Sequence, residues 1–79
     1  MKQYHRIGGF SERLEEAIFA KDMDLTLLAK RIGVARSNLY GWLHYDTTPE
    51  SYWVMKLSLE LNVSADWLLG ISEKKELVR

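Results

Sequence analysis

The sequence predicts an all-α fold: one compact domain of five short helices. Three observations carry that prediction. Apolar residues recur at helical spacing in successive windows, and no stretch alternates as a half-buried strand would. Residues that start or stop helices punctuate those windows. Apolar residues make up 47% of the chain and Pro occurs once, a balance that favours a folded, helix-rich domain over disorder.

Taken in order, residues 1–10, "MKQYHRIGGF", read as an N-terminal arm, and residues 11–79 as the helical domain. The arm closes on Gly8 and Gly9 and is expected to be flexible; its cations are Lys2 and Arg6. Ser11 is placed to cap a first helix, "ERLEEAIFA", in which Leu14, Ala17 and Ile18 share a face and acids fill the first turn. Asp24 caps a second, "LTLLAKRI", which stops at Gly33, because glycine takes the left-handed backbone that other residues resist. A third helix runs from about Arg36 to His44. The turn "YDTTPE" follows, with Pro49 at or just before the next helix start. "ESYWVMKLSLEL" is the longest helix and Asn62 its stop. Ser64 then caps "ADWLL", which ends at Gly70, and "SEKKELV" adds a frayed last turn.

Size and composition bound the function. A core within 79 residues is marginal, and such domains rely on disulfides, metals, tight helix packing or self-association. There is no Cys, and His5 and His44 cannot complete a tetrahedral zinc site. No metal and no cofactor are therefore expected. No run is long enough to cross a membrane, and the start lacks a signal peptide's apolar core, so the expected location is cytoplasmic. Nor does an acid, base and nucleophile cluster stand at a workable spacing, which argues against an enzyme. Eleven Lys and Arg balance eleven Asp and Glu, without the basic excess usual for a nucleic-acid binder. Between Asp24 and Thr48 the cations Lys30, Arg31 and Arg36 face only Asp24 and Asp46, while Glu12, Glu15, Glu16, Glu50 and Glu60 lie outside that segment.

The segment "AKRIGVARSNLYGW", Ala29 to Trp42, explains the spacing. Leu28, Ala29, Ile32, Gly33, Val34, Leu39 and Trp42 sit where a helix-turn-helix needs them. Ala29 is small where the two helices meet, Gly33 makes the tight turn, and Ile32, Val34 and Leu39 bury the inner faces. The second helix of the pair then projects Arg36, Ser37 and Tyr40, with His44 at its far end. Such a helix fits the major groove of double-stranded DNA, its first residues nearest the base edges. Tyr40 would meet a phosphate or a thymine methyl group. Asn38 lies between that face and the preceding helix. Thr26 and Lys30, with Arg31, are candidates for phosphate contacts, a solvated face being the alternative. In the long helix Val54, Leu57 and Leu61 face the core with Trp53 at the edge. Tyr52, Met55 and Leu59 align on the opposite side, and a helix apolar on two faces wants two partners. A two-fold homodimer would supply the second.

Residues 12–70 resemble the phage lambda repressor/Cro-like helix-turn-helix family of bacterial and phage transcription regulators. The matching residues are "LAKRIGVARSNLYGW", then Pro49 seven positions after Trp42, then "LELNVSADWLLG", in the family's order and spacing. The resemblance implies a compact five-helix DNA-binding domain with Arg36, Ser37, Asn38, Tyr40, Gly41 and His44 at the groove, and dimers built on the late helices, with Trp67 joining the seam. Two recognition helices about 34 Å apart would then read an inverted repeat. Four departures accompany the match. Leu25 stands where the family has a Gln that anchors on phosphate. Leu43 and Ile18 stand where it often pairs Glu with Arg, so an apolar contact between these two is expected in place of the ion pair. Tyr45 stands where the family tends to have Gly. Gly41 occupies a position often used for base contact, at a helix cost of about 1 kcal/mol relative to Ala. Neutral charge, Leu25 and Gly41 also fit a rival reading, a helix-turn-helix module that binds a protein partner such as a toxin.

Overall fold

A computed structural model describes residues 9–45 and 47–77 of the protein; most of the arm, with Lys2 and Arg6 and its expected flexibility, lies outside these residues. Among the described residues five helices follow one another: α1 (Phe10–Ala20), α2 (Leu25–Ile32), α3 (Arg36–His44), α4 (Ser51–Leu61) and α5 (Ala65–Leu69). Their ends are set largely by the residues the sequence singled out. The Asp24 carboxylate accepts the Leu27 amide of α2, and the Ser64 hydroxyl accepts the Trp67 amide of α5. Gly33 ends α2 at φ +85°, and its amide and that of Val34 both close on the Ala29 carbonyl at 2.9 and 3.0 Å. Asn62, at φ 58°, ends α4 in the same left-handed region, which Asn tolerates better than most residues.

Two ends differ from expectation. The cap of α1 is Gly9, and Ser11 lies inside the first turn. Phe10 is buried and continues the Leu14, Ala17, Ile18 stripe one turn backward, so core burial extends the helix past its apparent cap. The Ser11 hydroxyl instead donates to the Trp42 carbonyl at 2.7 Å and ties α1 to α3. The segment after Gly70 does not form a further helical turn. It runs back along the domain, where the Ser64 amide donates to the Lys75 carbonyl at 2.8 Å and Val63 pairs with Glu76 as an isolated antiparallel bridge.

Arg13 holds that tail. Its guanidinium donates to the carbonyls of Trp67 and Ser72, both at 2.8 Å, and stacks 5.0 Å from the Trp67 ring centroid. Lys75 also lies 5.0 Å over that ring and reaches Glu16 at 3.2 Å. Trp67 is consequently 5% exposed, packs into the core and offers little surface to a second copy. Six leucines, Leu14, Leu28, Leu39, Leu57, Leu61 and Leu68, form the fully buried centre. Around them α2 packs on α3 and α4, α1 on α3 and α5, and α4 on α5.

Candidate nucleic-acid interface

Helix α3 is anchored by one fully buried residue, Leu39, with Trp42 and Leu43 half-buried beside it. Everything else on the helix can therefore point away from the core. Arg36, Tyr40 and His44 stand at i, i+4 and i+8 and form one row; Ser37 and Asn38 flank its start. All five are exposed, and Gly41 is half-buried between them. Thr26 and Lys30 are exposed on α2. Ala35 caps α3 without a side-chain hydrogen bond, which leaves first-turn amides able to receive an anion. Arg31, by contrast, is turned toward α4, where it pairs with Glu60 at 3.0 Å.

One exposed residue beside this row was not among the sequence candidates. Tyr45 stacks edge-on against Tyr40 with centroids 6.3 Å apart, and Tyr40 packs against His44 at 4.1 Å. Tyr45 leaves α3 at φ −117°, outside the left-handed region, so no glycine is required where the resembling family tends to have one. Gly41 faces the same ring: a Cβ added there would lie 3.7 Å from Tyr45 Cδ2, an ordinary contact distance. Gly41→Ala should accordingly stabilise the domain by about 1 kcal/mol through helix propensity. Urea unfolding monitored by circular dichroism measures this, and a loss of stability would mean that the modest clearance is illusory.

The remaining departures have local explanations. Leu25 is half-buried against the core, facing an open cleft that Ile18 and Leu43 also line. The apolar pair thus sits on one cleft between α1 and α3. On the far side of α4, Tyr52, Met55 and Leu59 are about half exposed, and Met55 and Leu59 share a groove with Pro49, Ala65 and Leu69. Leu69 extends that apolar face onto α5, an addition that the α4 spacing alone could not reveal. Among the described residues no helix is long and apolar enough to cross a membrane.

Comparison with known families matches residues 9–76, nearly the whole chain, to the bacteriophage CI repressor helix-turn-helix domain. No curated protein and no solved structure matched the chain. The match spans the capped α2, the glycine turn, the projecting α3 and the helices that support them. The chain belongs to the bacteriophage CI repressor helix-turn-helix family of DNA-binding regulators.

Proposed function

We propose that the protein is a cytoplasmic repressor that binds an inverted-repeat operator as a homodimer and acts by occupying promoter DNA. The observation that carries this reading is the row Arg36, Tyr40 and His44, exposed along a helix whose opposite face is pinned by the buried Leu39. Arg36 and Ser37, at the head of α3, are assigned to base edges or adjacent phosphates; Asn38, Tyr40, Gly41 and His44 line the groove beyond them. Thr26 and Lys30 approach the backbone. The exposed face of Tyr52, Met55 and Leu59, widened by Leu69, supports self-association.

Selection of duplexes from a random pool tests the reading. It should enrich two half-sites related by a two-fold axis with centres about 34 Å apart, and sedimentation should find two chains per duplex. The salt dependence is also specified. Among the described residues few cations flank α3, so each subunit would neutralise about two phosphates and log K should fall with log salt at a slope of about −4 for the dimer. A slope near −10, that of a protein with many phosphate contacts, would contradict it.

The alternative, a module that binds a protein partner and touches DNA weakly or not at all, draws on the zero net charge and on Leu25, an apolar side chain half-buried against the core where the resembling family anchors on phosphate. It is favoured if no duplex enriches and Arg36→Ala changes nothing.

A further inference from the structure

We propose that Tyr45, acting with Tyr40 and His44, forms an apolar reading surface for thymine methyl groups, and that Tyr45 is thereby a specificity-determining residue. The proposal rests on the DNA-binding reading above and adds to it a second kind of readout. The row on α3 is divided. Arg36 and Ser37 supply hydrogen-bonding groups at its head, whereas at its C-terminal end the Tyr40 ring meets those of both His44 and Tyr45, at centroid distances of 4.1 and 6.3 Å. Those rings are turned to solvent: Tyr40 is 44% and Tyr45 65% exposed. Large exposed aromatic area grouped on one face marks a surface that meets another molecule.

The chemistry of the groove identifies what they would meet. A thymine presents its C5-methyl group in the major groove, and its complement is an apolar side chain. Stacking of Tyr45 on Tyr40 limits the orientations either ring samples, which lowers the ordering cost of contact. Gly41 contributes by omission. It places no side chain between the row and Tyr45, and the ring lies at ordinary contact distance from where a Cβ would be. Because Tyr45 is mostly exposed and lies beyond the helix end, replacing it should leave the fold intact.

The test uses the full chain and a duplex enriched from a random pool. Each thymine is replaced singly by deoxyuridine, which removes one methyl group and nothing else. One or two positions per half-site should lose about threefold to tenfold in affinity. Tyr45→Ala should bind the thymine and deoxyuridine duplexes equally at one of those positions, and Tyr45→Phe should keep the preference. A wild-type protein indifferent to every replacement overturns the proposal while leaving DNA binding standing. So does a Tyr45→Ala protein that keeps the whole preference, or a Tyr45→Phe protein that loses as much as Ala, since the hydroxyl would then be bonding a phosphate. Failure to enrich any duplex would overturn the DNA-binding reading and this proposal with it.

Discussion

Arg13→Met should lower the unfolding free energy by about 3 kcal/mol, the cost of deleting charge-assisted hydrogen bonds to partly buried carbonyls. The side chain fills the space between α1 and the tail, and its two strong bonds go to backbone oxygens of Trp67 and Ser72. A carbonyl cannot be exchanged for an apolar group, so the usual escape of replacing both partners of a buried polar pair is closed here. Glu73 adds little, because its carboxylate is almost wholly in water and 3.5 Å away, where an ion pair is worth little. Methionine keeps most of the packing volume, which confines the loss to the polar contacts. Arg13→Lys should fall between, because one ammonium cannot fork to both oxygens as the planar guanidinium does. For a domain this small the drop in Tm would be about 15 °C. Denaturant unfolding of the three proteins decides: a loss below about 1 kcal/mol for Met would show that the tail is held mainly by Lys75 and the Val63–Glu76 pairing.

Ala29→Leu is expected to cost about 2–3 kcal/mol by overpacking. Ala29 is buried on α2, the helix that packs against both α3 and α4, and its carbonyl receives the two amides that close the glycine turn. Three extra carbons there cannot be relieved by rotating the side chain outward. The helix itself must shift. Ala29→Gly provides the control, since it removes volume and costs about 1 kcal/mol in helix propensity. The predicted order, wild type above Gly above Leu in denaturant midpoint, separates crowding from propensity. If Leu proves as stable as wild type, α2 and its neighbours do not meet as closely as the burial of Ala29 requires.

Local chemistry made most of the helices legible. Asp24, Gly33, Asn62, Ser64 and Gly70 each act within three or four residues of themselves, so a linear reading can see both the cap and the helix it bounds. Arg13 was illegible for the opposite reason. In "ERLEE" it looks like one more charge on a solvated face, and its partners lie 54 and 59 residues away. The same distance hid the course of the tail and the cover over Trp67. Ser11 misled because its hydroxyl suits a cap, yet the burial of Phe10 starts the helix earlier. At the interface, the row on α3 followed from period and from the apolar positions of Leu39 and Leu43. Tyr45 did not, because its place depends on the path of the chain after the last turn, and the resemblance suggested a glycine there.

Arg36→Ala on the enriched duplex decides whether the exposed head of α3 reads DNA. The side chain is exposed, so the variant should melt like wild type. Its affinity should nevertheless fall about tenfold to hundredfold, and a second selection should relax the base preference at one position in each half-site. A folded Arg36→Ala protein that binds the same duplex with undiminished affinity and unchanged preference would mean that the head of α3 does not read DNA.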